Sequence, residues 1–161
     1  MIRGATENYL PFTRQILATS AVLCLFLSGC GDPASTGEEE IRQWISDGHA
    51  EVEAKERRAL LARVSPGYAD ARGYDKDRLD KLLRVYFLRQ NAIKLLVSIQ
   101  DIRIFGDTAA EVDLTVALTG TNDRALGFSA SAYKFELELV RDDDDWQLIA
   151  ARWGELGDSL N

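Results

Sequence analysis

Glu111-Val112-Asp113-Leu114-Thr115-Val116-Ala117-Leu118-Thr119 is the stretch on which the fold turns. Val112, Leu114, Val116 and Leu118 alternate with Glu111, Asp113, Thr115 and Thr119, the period of two that belongs to a strand with one wet face. The same period extends outward on both sides. Upstream, from Ala92, Leu95, Val97 and Ile99 alternate with Leu96, Ser98 and Gln100, continuing through Ile102 and Ile104 to Phe105, and Gly106-Asp107 makes a turn. Downstream, Gly120 to Gly127 reads as a polar loop. Ser129 to Val140 then sets Tyr133, Phe135, Leu137 and Leu139 against Lys134, Glu136 and Glu138. Arg141 to Asp145 turns the chain, and Trp146 to Trp153 is the last strand. Links this short cannot join parallel strands, so the four form an antiparallel meander. Strands of about ten residues exceed the usual five or six and are expected to twist or curl. The charged face meets water, and helices must cover the other.

Those helices come first. Ile41, Trp44, Ile45, Gly48, Val52, Ala59, Leu60 and Val64 recur at helical spacing, predicting one helix over Glu38 to Val64. Its Glu38-Glu39-Glu40 start complements the helix dipole, Gly48 marks a bend or a close contact, and Ser65-Pro66-Gly67 ends it. Asp75 caps a second helix from Lys76 to about Gln90. Its expected core stripe is Leu79, Leu82, Leu83, Tyr86 and Phe87, with Val85 and Leu88 widening the apolar face until the helix is covered on most sides.

The first thirty residues carry a different signal. Arg3 and Arg14 precede an apolar run from Ile16 to Leu27, too short for the roughly 20 residues of a membrane span. Leu27-Ser28-Gly29-Cys30 follows directly and resembles the lipobox of bacterial lipoproteins. The resemblance implies removal of residues 1–29, acyl chains on Cys30 and attachment to a membrane, with residues 30–37 as a tether. Two or more acyl chains make such attachment stable. Because Gly31 rather than an aspartate follows the cysteine, the resemblance favours the outer membrane, facing the periplasm, over the inner membrane. Cys24 would leave with the leader, so the domain would hold neither disulfide nor thiolate metal set. The net charge of −7 disfavours nucleic acid and predicts repulsion from anionic lipid headgroups, so membrane attachment is expected to come from the acyl chains.

Two helices ahead of a four-stranded meander that closes on Asp145-Trp146-Gln147-Leu148-Ile149 and Arg152-Trp153 resemble the nuclear transport factor 2-like superfamily, which includes ketosteroid isomerase and polyketide cyclases. The resemblance spans residues 38–156, with 157–161 as a tail. It implies an α+β fold with N-terminal helices on a curled antiparallel sheet. The chain departs from the family by having only Tyr68 to Tyr74 where a hairpin commonly helps wall the pocket. A cystatin-like arrangement without a cavity therefore stays open.

Isomerase-like members work with a buried carboxylate base in an apolar pocket. Asp101, by alternation on the face of Leu95, Val97 and Ile99, is the catalytic candidate, with pairing to Arg103 the favoured use. Asp113 falls on the polar face. His49, the sole histidine, has Glu53 one turn on and no partnered nucleophile, so neither a triad nor a metal set emerges. Asp142-Asp143-Asp144-Asp145 lacks a calcium-loop pattern and reads as a solvated turn. Tyr68, Asp70, Arg72 and Tyr74 could rim a pocket or partner patch, and Tyr86, Arg89, Tyr133 and Trp153 could line a cavity. The sequence calls for no cofactor and no metal. The preferred expectation is a membrane-anchored, non-catalytic module that binds a small ligand or a protein. The alternatives are an isomerase- or cyclase-like enzyme and a structural envelope homodimer.

Overall fold

The computed structural model describes residues 33–121 and 128–160. The segment expected to be a leader, Cys30 and most of the Gly120–Gly127 loop lie outside the described residues. Helices α1 (Pro33–Ala54), α2 (Arg57–Ala62) and α3 (Lys76–Arg89) precede strands β1 (Ala92–Phe105), β2 (Ala109–Thr121), β3 (Phe128–Asp142) and β4 (Asp145–Glu155). Among the described residues no helix is long and apolar enough to cross a membrane.

The four strands form one antiparallel sheet in sequence order. Val112 lies opposite Leu137 and Leu114 opposite Phe135, so the apolar sets of β2 and β3 share a face. That face meets α1. Ile41 and Ile45, four residues apart on α1, pack with Ala110, Val112, Leu114, Leu139 and Trp146. Ile41 and Val112 are completely buried, each burial worth about 1.5–3 kcal/mol. Two irregularities bend the sheet: β1 slips register between Ile99 and Asp101, and β3–β4 pairing slips between Glu138 and Leu139. Such bulges raise local twist and curl a sheet around what it covers. The free edge of β4 is closed by the segment after α2. Ser65 N donates to Leu148 O (2.9 Å), Ala69 N to Ile149 O (3.1 Å) and Ala71 N to Ala151 O (3.1 Å).

The helical region departs from expectation in several ways. The single helix over Glu38–Val64 is two helices, because Lys55 takes a left-handed conformation (φ 56°). Its ammonium group donates to Gln90 O and, at 2.8 Å, to Asn91 O, satisfying carbonyls just beyond the end of α3. Side-chain periodicity carries no trace of that backbone break. Helix α1 also begins at Pro33, inside the stretch read as a tether, so the three glutamates sit in its second turn rather than its first. Gly48 makes no close contact: a β-carbon built there meets nothing within 4 Å. On α3, Asp75 caps as expected, accepting from Arg78 N at 2.8 Å. However, Leu82, Val85 and Leu88 face solvent, with Leu88 78 % exposed.

Candidate functional site

The concave side of the curled sheet does not close completely on the helices. Between them lies a cavity of about 480 Å³, inside the range of about 300–1,000 Å³ typical of small-molecule sites. Helix α1 contributes Trp44, Gly48 and Val52, one residue per turn along one stripe. Leu79, Leu83, Tyr86 and Phe87 of α3 form the opposite wall. The sheet supplies Leu95, Val116, Leu118, Tyr133, Phe135, Leu148 and Trp153. Tyr133 and Trp153 meet edge to face at 6.1 Å, and Phe135 stacks on Trp153 at 6.2 Å. These contacts make a rigid aromatic floor. The missing hairpin therefore does not abolish the cavity, because the 63–71 segment seals the β4 edge instead.

Among the described residues five lining side chains carry polar atoms: Tyr86, Tyr133, Trp44, Trp153 and Arg63. Burial, with the neighbouring Tyr133 phenol, raises the pKa of Tyr86 above the ordinary tyrosine value, so it is a neutral donor at physiological pH. Tyr133 adds a second phenol. Trp44 Nε1 is buried without a hydrogen-bond partner. Arg63 brings charge, but the charge is already matched. Its Nε and Nη2 donate to the two Glu51 carboxylate oxygens at 2.8 and 2.9 Å, and Asp47 lies 3.5 Å away. The bond to Glu51 is what chiefly holds the guanidinium's pKa above its usual value. A charge so paired does not demand a charged ligand.

The expected site residues scatter. Tyr86, Tyr133 and Trp153 line the cavity, whereas Tyr68, Asp70, Arg72, Tyr74 and Arg89 do not. Tyr68 is core, packed with Val64 and Ala151. Burial, and secondarily Asp70, pushes its hydroxyl up to about 12. Asp70 organises the loop by accepting from Arg72 N (2.9 Å) and Tyr74 N (2.7 Å). Arg72 lies 3.6 Å from the Trp153 ring centroid and donates to Trp153 O at 3.1 Å, so it steadies a lining residue from outside the cavity. Tyr74 receives Arg78 on its ring face, 4.2 Å from the centroid. Arg89 is exposed in the last turn of α3.

Asp101 faces away from the cavity. The slip after Ile99 leaves Gln100 unpaired and puts Asp101 opposite Asp113, on the outer face of the sheet. Strict alternation had placed it inside; one bulged residue reverses that. Arg103 Nη1 donates to Asp101 (2.6 Å) and Asp113 (3.0 Å), and Nη2 to Glu111 (3.0 Å). His49 Nε2 lies 3.3 Å from Glu53. Glu53 also accepts from Lys94 Nζ (2.7 Å) and Leu95 N (2.9 Å), pinning α1 to β1. Asp142–Asp145 is an exposed hairpin end, and among the described residues no group of three His, Cys, Asp or Glu side chains is placed to hold a metal ion. A more open groove of about 600 Å³ is rimmed by Glu39, Glu40, Asp47, Asp144 and Asp145; the apolar cavity, being less open, removes more of a small molecule from water. Sequence reasoning missed Trp44, Gly48, Leu83 and Leu118 as lining. The recurrence of Trp44, Gly48 and Val52 every four residues was their available signal.

No protein-family model and no curated protein matches this sequence. Solved structures do. A candidate scytalone dehydratase from Novosphingobium aromaticivorans superposes with a TM-score of 0.72 at 14% identity, over 78% of this chain and 87% of that one. A hexachlorocyclohexane dehydrochlorinase (LinA) of type 2 gives 0.67 at 12% identity, over 80% and 91%. A nuclear transport factor 2-like superfamily protein from Salmonella enterica serovar Typhimurium gives 0.65 at 12% identity, over 78% and 95%. The chain has the nuclear transport factor 2-like α+β fold, with its cavity between the helices and the concave face of the sheet.

Proposed function

We propose that this protein is a binding module that takes a small, neutral, mostly apolar molecule into the cavity between α1, α3 and the sheet. The observation that carries the reading is the lining itself. Its described surface is aliphatic and aromatic, its phenols are donors, and the one guanidinium among the described lining residues is neutralised by Glu51. Asp101, the sequence's best general base, sits across the sheet with Arg103. We further propose that lipid on Cys30 holds the module at a bacterial membrane, facing the periplasm, most favourably at the outer membrane. The support is the Leu27-Ser28-Gly29-Cys30 pattern behind an apolar run. Palmitate labelling tests the anchor: incorporation into the wild type and none into Cys30→Ala is expected, and equal labelling refutes it.

A second reading, a lyase or isomerase, draws on the names of two fold relatives, the dehydrochlorinase and the candidate dehydratase. One experiment separates the two. Titration with neutral apolar ketones and sterols, followed by the fluorescence of Trp44 and Trp153, identifies what binds. The bound compound is then held in heavy water. A binding module returns it with its protons unexchanged, whereas an enzyme that abstracts protons returns deuterium at the acidic carbon.

A further inference from the structure

Helix α3 has two faces of different chemistry. Leu79, Leu83, Tyr86 and Phe87 look into the cavity. On the opposite arc Leu82, Val85 and Leu88 are exposed, interleaved at helical spacing with Arg78, Lys81, Arg84 and Arg89, all exposed. One carboxylate, Asp77, shares that arc, while Asp80 turns away to pair with Arg57. Among the described residues Lys81, Arg84 and Arg89 pair with no carboxylate. In a chain of net charge −7 this is a cationic strip with bare aliphatic side chains inside it. Among the described residues no element covers it.

We infer that the exposed face of α3 docks on an anionic lipid bilayer. The charge pattern selects that occupant. Unpaired Lys and Arg side chains are drawn to anionic headgroups, and their long stems let the charges rise to headgroup level while Leu82, Val85 and Leu88 enter the acyl boundary. A nucleic acid would use the cations and leave the three aliphatic side chains in water. A second copy of this chain would set like charges against each other. Docking by this face puts the cavity one helix diameter, about 10 Å, from the headgroups. The inference stands apart from lipidation of Cys30 and from the identity of any cavity ligand.

The test uses the full chain with Cys24→Ser and Cys30→Ser, carrying one bimane-labelled cysteine at either of two exposed positions. Leu88→Cys reports α3, and Ser98→Cys reports the outer sheet face. Both probes ride on the same N-terminal segment, so attachment through that segment affects them alike. With vesicles of phosphatidylglycerol containing nitroxide-labelled lipid, quenching at position 88 and little at 98 is expected. With phosphatidylcholine vesicles the difference should disappear. Each Lys or Arg near an anionic surface contributes about fivefold to partitioning, so Lys81→Gln, Arg84→Gln and Arg89→Gln together should weaken vesicle binding by α3 about a hundredfold. High salt should weaken it in the unsubstituted chain, which checks the triple variant without relying on its folding. Equal quenching at the two positions, equal quenching with both lipids, or pyrene excimer between copies labelled at position 88 would each overturn the inference.

Discussion

Gly48 offers a sharp test because two of its effects have opposite consequences. It lies inside α1, where glycine costs about 1 kcal/mol relative to alanine. Nothing lies within 4 Å of a β-carbon built there, since the position looks into the cavity. Gly48→Ala should therefore stabilise the domain by about 1 kcal/mol, raising its thermal midpoint by about 3–5 °C. Gly48→Leu extends a branched side chain into the same space. It should keep much of that stability and strongly reduce uptake of a neutral apolar dye such as N-phenylnaphthylamine. Circular dichroism melts and dye titration read the two effects separately. Were the space filled in solution, Gly48→Leu would overpack it and lose about 1–3 kcal/mol. A leucine variant less stable than the wild type, with dye uptake unchanged, refutes the open cavity.

Further outcomes follow from the polar contacts. Lys94 first, then Leu95 N–H, lower the Glu53 pKa from 4.5 to about 2. Its stabilising contribution is therefore complete above about pH 5 and lost as pH falls towards 2. Thermal midpoints of Glu53→Gln should fall less steeply than wild type across that window, and parallel curves would contradict the assignment. Asp70→Ala strips the acceptor from two backbone N–H groups at a buried carboxylate and should cost about 2–3 kcal/mol. Urea unfolding of Asp70→Ala beside Asp70→Asn measures this, with the amide variant recovering part of the loss. Arg103→Ala leaves Asp101 opposite Asp113 without their shared cation. Its thermal midpoint should drop at pH 7, and the deficit should shrink in high salt. A salt-independent deficit would mean that packing, not charge, is what Arg103 supplies.

The strands were legible because each residue of a half-wet sheet faces either core or water, and the alternation of Val112 to Leu118 and Tyr133 to Leu139 records that choice. It fails where the chain departs from two residues per repeat. The slip at Gln100 carries no compositional mark, yet it moves Asp101 from the concave side to the convex side. The break at Lys55 is likewise silent, since a left-handed lysine held by carbonyls near Gln90 depends on contacts 35 residues away. On α3 the apolar count was right and its meaning was not. Leu82, Val85 and Leu88 have the composition of a covered face and lie exposed among cations. Of the candidate site, the aromatic residues of the sheet were visible as inward positions. The polar residues of the 68–74 loop drew attention by composition, but the structure spends them on holding the loop and Trp153 in place.

The central claim is that the space between α1, α3 and the sheet holds a small apolar molecule. Native mass spectrometry of the full chain and of Gly48→Leu, purified in parallel from native membranes, measures it directly. A small-molecule adduct on the wild type that is lost or sharply reduced in Gly48→Leu is the predicted result. Bare protein in both, or the same adduct at equal occupancy, would contradict it.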